Sequence, residues 1–182
     1  MKKAFLFLVD GFEEIEAIGT IDILRRGGVD VKSVSLEGTK QVTSSRKVVV
    51  LADLMFGEAD FSAAEMLVLP GGTVRINEHE GLKALVAQHA TAGKKVAAIC
   101  AAPMVLGGLG LLKGKTATAY PGFEKYLDGA KCVETPVAVD GNIITGRGPG
   151  LTMEFALTLV AALQGQAKAD EVAADLLLKS RN

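Results

Sequence analysis

Histidine and cysteine are scarce here, with two of each in 182 residues, and each shortage narrows the chemistry. Both histidines, His79 and His89, precede Cys100. A glutamine-hydrolysing thiol domain activates its cysteine with a later histidine, so that class is excluded. A zinc site wants several histidine or cysteine ligands, and no metal is expected. Cys100 and Cys132 are far apart and no secretory signal is read, which argues against a disulfide framework and for a reducing cytoplasm. Aromatic residues make up 5% of the chain, too few for a base-stacking platform. The net charge is −1, which gives no general pull toward nucleic acid or an anionic membrane. No apolar run reaches transmembrane length. Met1-Lys2-Lys3 followed by Ala4 to Val9 has the look of a signal peptide, but the run is short and Asp10 and Glu13 follow, so it reads as a first strand. Gly11 and Gly38 belong to no phosphate-binding glycine motif of the P-loop or dinucleotide type.

The remaining composition is that of a globular α/β protein, with 49% hydrophobic and 23% charged residues and 21 glycines, and residues 1–182 suit one domain. Buried strands are expected at Ala4–Val9, Met66–Leu69 and Val96–Ile99, each a continuous apolar run. A helix follows from Glu13 to Arg26, with Ile15, Ile18, Ile21 and Leu24 at helical spacing, and Gly27-Gly28 closes it. Further strands are expected at Val29–Leu36 and Lys115–Ala119. Gln41–Ser44 with Lys47–Leu51 reads as a small hairpin, and Val137–Val139 with Asn142–Thr145 as another. Residues 53–64 read as irregular or partly helical. Helices are expected at Gly81–Thr91, Pro103–Leu111, Leu151–Leu163 and Ala169–Lys179. Strands alternating with helices predict a mostly parallel sheet covered on both faces. In such a sheet the site lies beyond the carboxyl ends of the strands.

Three strand ends pass that filter: Val9-Asp10-Gly11, Leu69-Pro70-Gly71-Gly72 and Ile99-Cys100. Cys100 stands where a strand turns sharply into a helix begun by Pro103. A thiol there faces free backbone N–H groups, including that of Ala101, and a helix dipole, which favour the thiolate. A small cysteine filling a core gap is the other reading. Gly71 and Gly72 allow close backbone approach to a ligand and could complete an oxyanion site with Ala101; a plain turn is the alternative. Glu16 lies among apolar neighbours with no cation one turn away, on the face of Gly19, Thr20 and Ile23. Against an apolar wall its carboxyl would hold a proton near neutral pH; as a surface glutamate it would not. His79, in a polar loop, and His89, beside Gln88, are expected at the surface. Cys132 reads as a strand residue of no special reactivity. A phosphoacceptor receiver domain would want an aspartate where Pro70-Gly71-Gly72 stands.

Taken in order, Gly11-Phe12-Glu13-Glu14-Ile15-Glu16, Ile21 to Gly28, Ser45-Arg46, Val68 to Gly72, Ala98 to Pro103, and Gly148-Pro149-Gly150 with Glu154-Phe155-Ala156 resemble the ThiJ/PfpI superfamily, in its DJ-one-like subgroup with the bacterial YajL-type members. The resemblance implies a flavodoxin-like three-layer sandwich and a homodimer without a dissociable cofactor. It implies Cys100 as nucleophile, Glu16 as its protonated partner, and the N–H groups of Gly72 and Ala101 as the oxyanion site. Arg26 and Arg46 match positions near the pocket or dimer interface. Tyr120 stands where some members carry a histidine, so Glu16 must carry more of the proton transfer. Ala101 stands where peptidase-like members have histidine, which weakens a cysteine peptidase reading. A second cysteine that some relatives have near Leu51 is missing. The implied function is a glyoxalase or deglycase acting on methylglyoxal or early glycation adducts. The alternative is a non-enzymatic redox sensor and chaperone that uses oxidation of Cys100.

Overall fold

The computed structural model describes residues 1–178. Strand β1 (Lys3–Leu8) leads into helix α1 (Glu14–Arg26), then β2 (Asp30–Ser35), a hairpin of β3 (Gln41–Thr43) and β4 (Val49–Leu51), and β5 (Leu54–Met55). Next come β6 (Met66–Leu69), α2 (Glu80–Thr91), β7 (Lys95–Ile99), α3 (Pro103–Gly108), β8 (Thr116–Ala117) and β9 (Lys131–Cys132). The hairpin β10 (Val137–Asp140) and β11 (Ile143–Gly146) precedes α4 (Thr152–Gln164) and α5 (Gln166–Asp175). The last helix ends short of the expected Lys179, which lies outside the described residues.

The seven-stranded sheet runs β10-β11-β7-β6-β1-β2-β5. Every pairing in it is parallel except β10 with β11. The two-residue period of a strand divides its apolar residues between two layers. In β1, Ala4, Leu6 and Leu8 join the cluster built with α1, α4 and α5, whereas Phe5 and Phe7 join the one built with α2 and α3. The same alternation in β6 and β7 explains why their sequences are apolar throughout. The protein is thus the expected flavodoxin-like α/β sandwich.

Chain direction across the sheet reverses at β1. Strand β2 is added on one side of it, and β6 and then β7 on the other. The loops after β1, β6 and β7 therefore converge at a topological switch point, where an open parallel sheet leaves a crevice.

Four sequence expectations are corrected. The expected strand 115–119 shrinks to β8, paired only with β9; the N–H of Thr118 goes to the Thr145 hydroxyl and that of Tyr120 to the Cys100 carbonyl. β5 adds an edge strand inside the region read as irregular. On α1, Ile21 and Leu24 are buried, but Ile15 and Ile18 are 53% and 43% exposed, so the apolar stripe serves two surfaces. His89 is not at the surface: it is 5% exposed, and its Nε2 is buried without a hydrogen-bond partner.

Burial and nearby Lys94 lower the His89 pKa below its usual 6.5. The unfolded chain then binds a proton that the folded state refuses, so His89 costs stability as pH falls below about 6.5 toward its lowered folded value. Urea denaturation of His89→Gln should show a shallower loss of stability on acidification than the parent. Parallel pH profiles would contradict this.

Candidate active site

Cys100 follows β7 directly and has φ +66°, a left-handed conformation that costs a non-glycine residue about 1–2 kcal/mol. Its N–H donates to the Gly146 carbonyl (2.9 Å) and its carbonyl accepts from Tyr120 N–H (2.9 Å). Neighbouring strand and loop thus hold the elbow in a geometry that it would not choose alone. The side chain is 8% exposed.

Glu16 comes to it from α1 and is 0% exposed. Glu13 caps that helix, its side chain accepting from Glu16 N–H at 2.7 Å. Glu13 N–H in turn donates to the Gly71 carbonyl (2.9 Å). Gly71 N–H donates to Glu16 Oε2 (2.7 Å), and the carboxyl lies beside the Cys100 thiol, each shifting the other's titration. Oε1 is buried with no hydrogen-bond partner. Burial is the leading cause that raises the Glu16 pKa, to about 7, against the opposing pull of Gly71 N–H. The carboxyl and thiol therefore share a poorly solvated space.

The expectation of a freely formed thiolate needs correction. Burial first, then the charge and hydrogen bond of an ionised Glu16, push the thiol up to about 12, while the N–H groups of Ala101 and Gly72 pull it down. The helix after the elbow has only six residues, so its dipole does not offset the lost water. Two of the three upward causes require Glu16 to be charged. They vanish when the carboxyl carries a proton, and the pair titrates as one unit.

The glycines divide their duties. Gly72, with φ +96°, has no room for a Cβ, which would meet Glu13 N and lie 2.6 Å from the Gly11 carbonyl oxygen. Its N–H reaches the sulfur. Gly71 was expected beside it as an oxyanion donor, but its N–H is committed to Glu16. A Cβ on Gly71 would lie 2.7 Å from Cys100 Cβ and 2.9 Å from Glu16 Oε2. Tyr120 is tied to the elbow through its backbone, and its half-exposed ring packs on Gly148. Arg46 lies exposed in the β3–β4 turn, which the Ser45 hydroxyl anchors to Glu14 (2.9 Å). Arg26 does not belong to the pocket. It pairs with Asp22 (2.8 Å), and ten residues of helix, roughly 15 Å, separate it from Glu16. Among the described residues no group of three His, Cys, Asp or Glu side chains is placed to hold a metal, and no helix is long and apolar enough to cross a membrane. The capping role of Glu13 escaped sequence reading; its position three residues before Glu16 was the available signal.

Residues 2–162 match the family model described as the DJ-1/PfpI family, and the chain belongs to that family. It is 40% identical over 183 residues to Protein DJ-1 homolog B of Arabidopsis thaliana, covering 98% of this chain but 42% of that protein; the chain spans less than half of that relative. It is 38% identical to Protein dj-1beta of Drosophila melanogaster, with 97% of both covered. An archaeal relative, Deglycase TK1284 of Thermococcus kodakarensis, is 34% identical, covering 81% of this chain and 91% of that protein. Among solved structures, oxidized Toxoplasma gondii DJ-1 superposes with a TM-score of 0.94 at 36% identity, covering 99% of this chain and all of the other.

Gly71→Ala should wedge Glu16 from Cys100. We expect a loss of stability of about 1–3 kcal/mol from overpacking, and at least a tenfold slower iodoacetamide reaction of Cys100 at neutral pH, in line with the loss of a positioned electrostatic partner. Peptide mapping separates this thiol from exposed Cys132. Unchanged alkylation would show that the close approach of Gly71 is not needed.

Proposed function

We propose that the protein is a thiol enzyme of glyoxalase or deglycase type acting on small reactive carbonyls, with Cys100 as nucleophile and Glu16 as proton carrier. The observation that carries this reading is the Cys100 thiol on a strained elbow, set against a fully buried carboxyl with two N–H groups at the sulfur. The deglycase named among its relatives supports the class.

With methylglyoxal the steps balance without an external oxidant. The Cys100 thiol gives its proton to the Glu16 carboxylate, and the sulfur attacks the aldehyde carbon. A C–S bond forms and the carbonyl π pair moves to oxygen, where the Gly72 and Ala101 N–H groups stabilise it. Glu16 returns the proton to that oxygen, giving a hemithioacetal. It then takes the hydrogen of the same carbon as a proton, leaving an enediolate; the hydroxyl proton passes to the neighbouring oxygen, and Glu16 delivers its proton to the neighbouring carbon. The product is a lactoyl thioester. Water adds to it, the C–S bond breaks, and lactate leaves with the thiol restored. Tyr120 lines the mouth in this reading.

Two further parts belong to the proposal. The protein works as a homodimer in the cytoplasm, with exposed Ile15 and Ile18 of α1, and Arg26 and Arg46, at the interface. A second role is favoured by the same thiol: oxidation of Cys100, with Glu16 and the two N–H groups stabilising the oxidised sulfur, as a stress sensor.

Cys100→Ser should lower lactate formation from methylglyoxal by about a thousandfold or more, the usual scale for loss of a covalent nucleophile. A variant that keeps parental lactate formation would refute the enzyme reading.

A further inference from the structure

The segment after β6 supplies the Gly71 N–H to Glu16 and the Gly72 N–H to Cys100. A loop entering through a glycine at φ +96° is not stiff by itself. One side chain on it crosses to the ends of two other strands. Arg75 Nη1 approaches the Asp10 carbonyl (3.4 Å) after β1 and pairs with Glu37 Oε1 (3.1 Å) after β2. Glu37 is only 21% exposed, and the same oxygen accepts from Asp10 N–H (2.8 Å). Asp10 Oδ1 accepts from Thr43 N–H (2.8 Å) in the hairpin. Thr73, between Gly72 and Arg75, packs its Cβ against Gly11, whose N–H donates to the Thr43 carbonyl (2.8 Å). Arg75 thus adds a side-chain tie from the loop after β6 to the network at the ends of β1 and β2.

We propose that Arg75 is a positioning residue: it clamps the loop after β6 onto the ends of β1 and β2 and thereby holds the Gly72 N–H at the Cys100 sulfur. It touches neither the thiol nor Glu16. This inference rests on the reading of Cys100 as the activated nucleophile. A guanidinium suits the role, because the two N–H groups on Nη1 can serve a carbonyl and a carboxylate together. As a half-exposed ion pair it contributes little to global stability, so its effect falls on the site's geometry, where small displacements of a donor are costly.

The test is the pH profile of Cys100 alkylation by iodoacetamide, followed by peptide mapping, in the parent, Arg75→Ala and Arg75→Lys, with thermal melting alongside. Arg75→Ala should slow the neutral-pH reaction about three- to tenfold, as a loosened catalytic donor does, and move its midpoint upward, with little change in melting temperature. Arg75→Lys, which keeps a cation facing Glu37, should recover most of the rate. An Arg75→Ala profile superimposable on an activated parent would overturn the inference, as would equal slowing in both variants accompanied by a lower melting temperature. A parent that reacts as an ordinary thiol would instead overturn the reading of Cys100 itself.

Discussion

A carboxyl and a thiol buried side by side have room for one negative charge, not two. That constraint governs the site. Burial, with the charge of Glu13, raises the Glu16 pKa to about 7, and burial with an ionised Glu16 pushes the Cys100 thiol far above that. The charge therefore moves between carboxylate and sulfur as the proton moves the other way. Two backbone N–H groups and an O–H on Glu16 favour the sulfur; lost hydration opposes any charge. In the proposed reading such a pair makes a nucleophile without a histidine.

The fold's part is to bring the two groups together and keep solvent away. Glu16 is delivered by α1, Cys100 by the end of β7, and the N–H donors by the end of β6. These meet because the sheet reverses direction at β1. Glycines at 71 and 72 make the approach close enough, since a methyl group at either would displace its neighbours. The strain at Cys100 is held by its hydrogen bond to β11 and by one from Tyr120. Stability is thus spent on geometry at one spot, as is usual at functional sites.

Much of this was legible in the sequence. Apolar runs gave β1, β6 and β7, because strands buried on both faces cannot alternate with polar residues. The elbow was legible from a small-residue run ending in Cys100 and followed by Pro103. Glu16 was legible as a carboxylate with no partner on its own helix. What escaped depends on distant contacts. Gly71 and Glu16 are 55 residues apart, and nothing local tells which N–H the carboxyl takes. Strand β8 is cut short because a side chain, Thr145, takes the N–H of Thr118. His89 is buried, beside residues that read as surface. Arg26 shares a helix with Glu16, but at the far end of it.

The central claim is tested most directly by the pH dependence of Cys100 alkylation in the parent and in Glu16→Gln. If one proton is shared, parental reactivity rises with a midpoint near 7, where the pair first ionises. Glu16→Gln removes the internal base, and its midpoint moves above the free-cysteine value of about 8.5. A parental midpoint at or above that value, or one that Glu16→Gln leaves in place, would contradict the account.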